Sequence, residues 1–154
     1  MAKNIYKNKL KGFSLFELLV TMGILMLLSL IVFPVATQKA QEDKLESYAS
    51  RLVTDIYYQQ QRSALKGLPE GIYLANSGYT IFEGETLLDA TDTDVKEYPT
   101  NITITSISMS NGDVIFFPKG EFKPSSYGTL VLTDGINLVR ISINREGLIR
   151  YERI

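Results

Sequence analysis

Apolar and polar positions divide the chain into three regimes. Residues 1–12 are polar and rich in lysine, and from Phe13 to Ala36 the only ionisable side chain is Glu17. A bilayer core of about 30 Å needs about 20 helical residues. The run therefore has the length of a membrane-spanning helix, and the lysines ahead of it predict a cytoplasmic N-terminus and an extracytoplasmic C-terminus. A secretory signal peptide would have an apolar core of about 7–15 residues and a small-residue cleavage site. Here the run is longer and leads through Gln38-Lys39-Ala40-Gln41 into more helix-compatible sequence.

Beyond the apolar run, Leu45, Ala49, Leu52, Ile56 and Gln60 recur at spacings of three and four, widened by Tyr48, Val53 and Tyr57. This is the stripe of an amphipathic helix. Glu42, Asp43, Glu46, Ser50, Asp55 and Arg62 fall on its other side, and Lys66-Gly67-Leu68-Pro69 carries stop signals. A helix from Phe13 to Lys66 would be about 80 Å long, more than a bilayer requires. One half, 13–36, spans and the other, 37–67, is a stem that packs on a domain. Pro34 predicts a kink, and Gly23 is a second weak position.

After Pro69 the helical period gives way to short β-rich segments. Ile72-Tyr73-Leu74 and Tyr79-Thr80-Ile81-Phe82 flank the turn Asn76-Ser77-Gly78, and Asn101 to Thr105 alternates as a half-buried strand does. Val114 to Phe117, Thr129 to Leu132, Ile136 to Ile143 and Leu148 to Tyr151 follow, separated by Pro118-Lys119-Gly120, Asp134-Gly135 and Glu146-Gly147. The last three predict a meander. Asp89-Ala90-Thr91-Asp92-Thr93-Asp94 reads as a loop. The expected fold is α+β, a long N-terminal helix packed on a small antiparallel β-sheet domain at 68–154.

Composition narrows the chemistry. Cysteine and histidine are both absent, which removes disulfides, thiolate catalysis and the side chain most used for proton transfer near neutrality. All 17 acidic residues follow Phe13, whereas Lys3, Lys7, Lys9 and Lys11 precede it. Without residues 1–12 the chain keeps 12 lysines and arginines, about five net negative charges, which disfavours generic binding to nucleic acid. Asp89, Asp92, Asp94 and Glu97 offer clustered oxygen ligands for a cation, and their spacing matches no EF-hand. A solvated loop is the plainer reading, so no metal and no cofactor is expected. Lys119 and Lys123 near Ser125 and Ser126 suggest a Ser-Lys pair that nothing in the sequence orients.

Glu17 is the conspicuous residue, because a carboxylate inside an apolar span costs about 3 kcal/mol to insert and usually has a partner. It lies in Lys11-Gly12-Phe13-Ser14-Leu15-Phe16-Glu17, followed by Leu18-Leu19-Val20, and this junction closely resembles the prepilin motif. The resemblance implies that a membrane prepilin peptidase and methyltransferase cuts after Gly12, that Phe13 becomes the N-methylated first residue, and that Glu17 is fifth in the mature chain. Ser14 stands where threonine is often second. An amine at Phe13 would be mostly cationic at pH 7, and Glu17 would meet it on a neighbouring subunit or, at i and i+4, within one chain. Both pairings remain open at this stage.

The tail is similar to the GspH/FimT group of minor pilins and type II secretion pseudopilins, through Phe116-Phe117-Pro118-Lys119-Gly120, Gly128-Thr129-Leu130 and Ile143-Asn144-Arg145-Glu146-Gly147. The resemblance implies a structural subunit of a type IV pilus-like or type II secretion-like filament, not an enzyme. It would be an inner-membrane protein first and part of an extracytoplasmic filament afterwards. The implied partners are membrane lipid, the inner-membrane assembly platform and other pilin or pseudopilin subunits, met through the N-terminal helix. An alternative is a DNA-uptake pilin. Some FimT-like proteins use a Gly-Arg-x-Arg pattern, which Gly147-Leu148-Ile149-Arg150-Tyr151-Glu152-Arg153 matches only in part. Arg140, Arg145, Arg150 and Arg153 are the candidate nucleic-acid contacts, provided the meander brings them together. A membrane-anchored enzyme is the remaining class.

Overall fold

The computed structural model describes residues 12–154, without the side chains of 30–36. It divides into a unit up to Lys39 and a unit from Ala40 to Ile154. One helix, α1 (Leu15–Lys66, 52 residues), runs through both. The expected kink at Pro34 lies outside the described residues.

In the second unit, α1 presents Leu45, Ala49, Leu52, Val53 and Ile56 as a fully or almost fully buried stripe. These are the positions that the spacing of three and four selects. The helix stops at Lys66, where Gly67 takes φ 65° and donates its N–H to the Ser63 carbonyl at 3.1 Å. That is a left-handed cap, which glycine adopts without a Cβ penalty.

The β-structure forms two antiparallel four-stranded sheets rather than a single sheet. The first is ordered β3 (Asp92–Glu97), β2 (Gly78–Glu83), β1 (Glu70–Ala75), β5 (Val114–Phe117). The second is β4 (Thr103–Met109), β6 (Gly128–Thr133), β7 (Leu138–Ile143), β8 (Ile149–Arg153), so the last three strands form the meander that their turns predict. The β3–β4, β4–β5 and β5–β6 connections each carry the chain from one sheet to the other, a step that no local pattern announces. Ile72, Leu74, Ile115 and Phe117 from the first sheet join Ile104, Leu130, Leu132 and Ile141 from the second in one core with the helix stripe.

The acidic segment departs from its expected loop. Asp92 and Asp94 belong to β3, paired in register with Glu83 and Ile81 of β2. β3 is an exposed edge strand, so it needs backbone hydrogen bonds to β2 but little buried apolar surface. Its charges also discourage pairing with another chain.

The buried face of α1 turns polar towards its end. Gln60 is fully buried, and its Nε2 donates to the carbonyls of Phe122 at 2.9 Å and Gly147 at 2.8 Å. Ser63 Oγ donates to the Pro118 carbonyl at 2.5 Å. Gly147 has φ 84°, and a Cβ there would approach Gln60 Nε2 to 2.4 Å, so the turn is shaped around the amide. Gln60→Leu leaves two carbonyls without their donor and should lower stability by about 2–4 kcal/mol. Denaturant unfolding of the full chain in detergent, followed by tyrosine circular dichroism, measures this loss.

Candidate functional site

Gly12, Phe13 and Ser14 precede α1 and are exposed. The Leu18 N–H donates to the Ser14 carbonyl at 3.1 Å, which places Ser14 at the N-cap and Glu17 three residues on, in the first turn. Ser14-x-x-Glu17 is thus the spacing of a capping box, a local signal present in the sequence beside the motif resemblance. The carboxylate lies at the positive end of the helix dipole, yet among the described residues it has no hydrogen-bond or ion-pair partner. The hydroxyls of the run behave differently. Thr21 Oγ1 donates to the Leu18 carbonyl at 2.9 Å and Ser29 Oγ to that of Leu25 at 2.8 Å, so both are satisfied within the helix.

Nothing in the fold requires glycine at position 12. A Cβ there would meet no atom within 4 Å, and the residue is not among the glycines with positive φ. Phe13, Leu15, Phe16 and the apolar side chains on to Leu28 are exposed. Among the described residues no helix is long and apolar enough to cross a membrane, and the described side chains of the run 13–36 end at Ser29.

Residues 7–33 match the family model for the prokaryotic N-terminal methylation motif. No curated protein and no solved structure matches the chain. The methylation motif includes Gly12, Phe13 and Glu17, and ends well before the second unit.

In that second unit the structure gathers charges that the sequence scatters. Arg62 and Asp55, expected on the solvated side of the stem, are both partly buried. Arg62 Nη2 donates to Glu83 Oε2 at 2.5 Å, and its Nε lies 3.0 Å from Glu70 Oε1 without hydrogen-bond alignment. Asp55 accepts the Tyr79 hydroxyl at 2.5 Å. A helix wheel gives each of these a face but not the strand that comes to meet it. Burial and the neighbouring Asp55 raise the Tyr79 phenol well above its ordinary range. Tyr48 packs edge-on to Tyr98, with ring centroids 5.7 Å apart, and Tyr57 donates to the Ile149 carbonyl at 3.2 Å. Tyr58 is more than half exposed, with Arg62 6.0 Å from the centroid of its ring.

The four arginines fall in different surroundings. Arg140 pairs with Glu152 at 3.0 Å, and Arg153 pairs with Glu42. Arg145 lies 4.7 Å over the Tyr127 ring. Arg150 is exposed opposite Ser142, on the same face as Arg140, whereas Arg153 has the opposite parity in β8. Asp89 accepts the Thr86 hydroxyl at 3.0 Å, and Asp94 pairs with Lys96 at 2.5 Å. Among the described residues no group of three acidic side chains is placed to hold a metal ion. Lys123 pairs with Glu146 at 2.8 Å, Ser125 donates to the Phe116 carbonyl, and Ser126 is buried.

Glu70 is the most perturbed acid. Burial is the main cause, opposed by Arg62 and reinforced by Glu83, and its carboxyl is pushed up to about 7. The folded state therefore holds this proton more tightly than the unfolded chain, whose value is near 4.5. Glu70 contributes most to stability below pH 4.5, and the contribution is lost as pH rises to about 7. Asp134, bonded to Asn137 and Ile136, and Glu146, bonded to Lys123, are held below their ordinary values, so their losses occur at lower pH. Melting temperatures of the parent should fall between pH 5 and 7, and Glu70→Gln should flatten that slope. An unchanged slope would refute the assignment.

Proposed function

We propose that the chain is the precursor of a type IV pilin-like filament subunit. The observation that carries the reading is the methylation motif at 7–33, with Gly12 at the border between the lysine-rich leader and the apolar run. The leader, 1–12, is removed after Gly12 by a prepilin peptidase and methyltransferase, and Phe13 is N-methylated. Residues 13–36 then reside in the inner membrane, N-terminus inside, until the assembly platform draws the helix into an extracytoplasmic filament. The stem, 37–67, and the β-structure, 68–154, remain on the outer side. The exposed apolar side chains from Phe13 to Leu28 support burial of this segment in lipid and later among neighbouring subunits.

Glu17 supports the same reading. Among the described residues its carboxylate has no partner, and it falls at the fifth position after the proposed cut, where a neighbour's cationic N-terminal amine would neutralise it. The tail resemblance makes the subunit a GspH/FimT-like minor pilin or pseudopilin. The DNA-uptake alternative draws less support, because Arg140 and Arg153 are already engaged with Glu152 and Glu42.

Mass spectrometry of the protein from its membranes should find N-methylated Phe13 at the N-terminus, and cleavage near residue 37 would overturn the proposal. Gly12→Leu should insert normally and remain unprocessed, since position 12 has open space in the fold and the demand for glycine is the peptidase's. Glu17→Ala should be processed like the parent but enter filaments at least tenfold less efficiently, measured by immunoblotting of sheared filaments.

A further inference from the structure

A cavity of about 180 Å³ opens between the end of α1 and the β1, β2 and β3 side of the first sheet. Asp55, Glu70, Glu83, Asp92 and Asp94 line it, with Arg62 and Lys96 as the only cations. Most of these groups are committed. Arg62 serves Glu83 and faces Glu70, Lys96 pairs with Asp94, and Asp55 accepts from Tyr79. Three acceptors are left over. Asp92 has no partner among the described residues, Gln59 is 2% exposed with Oε1 unbonded, and Glu70 is fully buried with neither oxygen hydrogen-bonded. Gln59 and Glu70 are buried acceptors short of donors, which is costly, and Asp92, which lines the same cavity, is exposed.

The remaining walls identify the kind of donor. Ile81 and the exposed ring of Tyr58 line the same cavity, offering contact to an alkyl stem and a π-face to a cation. A hydrated divalent ion would find neither a grouped oxygen shell nor freedom from the resident guanidinium. An ammonium brings three donors and one positive charge on an apolar stem. We propose that this cavity binds a primary alkylammonium group, carried either by a lysine side chain of a second copy of the chain or by a free amine. The inference is independent of the filament reading and survives failure of processing at Gly12.

Calorimetric titration of the full chain in neutral detergent with n-butylammonium chloride, against sodium chloride at matched ionic strength, tests it. Saturable single-site binding is expected, with no response to n-butanol. Asp92→Asn, at an exposed position that the fold tolerates, should weaken binding at least fivefold, as should Gln59→Leu. Glu146→Gln, which removes a carboxylate outside the cavity, should leave it unchanged. Absence of saturation, an equal response to butanol, or parental affinity in Asp92→Asn would overturn the proposal. Sedimentation in the same titration separates the sources. Dissociation of a self-associated species by butylammonium assigns the site to a lysine of a second copy, and binding without change of association state assigns it to a free amine.

Discussion

The stripe of α1 from Leu45 to Ile56 closes both sheets over a single core, and the second unit depends on that contact. Neither four-stranded sheet has a strand long or apolar enough to bury itself. Each contributes one inward face of isoleucine, leucine and phenylalanine, and the helix supplies the third surface between them. Ala49 and Leu52 are completely buried within that stripe, so the strands lie close against the helix. A small domain without disulfides relies on apolar burial of this kind for its stability.

The same face changes character one turn further on, and this change links packing to chemistry. Gln60 and Ser63 use the helical period to bring donors to carbonyls in the turns around Pro118, Phe122 and Gly147, which would otherwise be buried without partners. Arg62 meets Glu70 and Glu83 instead, and Gln59 lines the same cavity. There, carboxylates outnumber donors, the carboxyl of Glu70 is driven upwards by desolvation, and a ligand with N–H groups has something to satisfy. A cluster that supplies donors to carbonyls and a donor-poor one thus sit within two turns of one helix.

The N-terminal unit obeys other constraints. Gly12 is not required by backbone geometry, Phe13 and Leu15 are exposed, and Glu17 has no partner among the described residues. The residues that the fold leaves unexplained all fall within the N-terminal methylation motif at 7–33. The capping-box spacing adds a local role for Ser14 and Glu17, because a carboxylate in the first turn favours the helix start in any environment.

Short-range physics was legible in the sequence. The helix stripe, its stop at Lys66 and Gly67, the β1–β2 hairpin and the closing meander all follow from periodicity and turn chemistry within a few residues. The processing motif was legible for the same reason, since its recognition depends on contiguous residues. Tertiary structure decided the division into two sheets, because a strand does not record which distant neighbour it will join. It decided that Asp92 and Asp94 lie in an edge strand, where β2 supplies hydrogen bonds that no local hydrophobic pattern advertises. It also drew Asp55 and Arg62 inwards and assigned the tail arginines to separate carboxylates, aromatics or solvent. Charge partners such as Arg62 and Glu83, or Glu42 and Arg153, far apart in the chain, are set by strand order and register, and neither is encoded at the residues themselves.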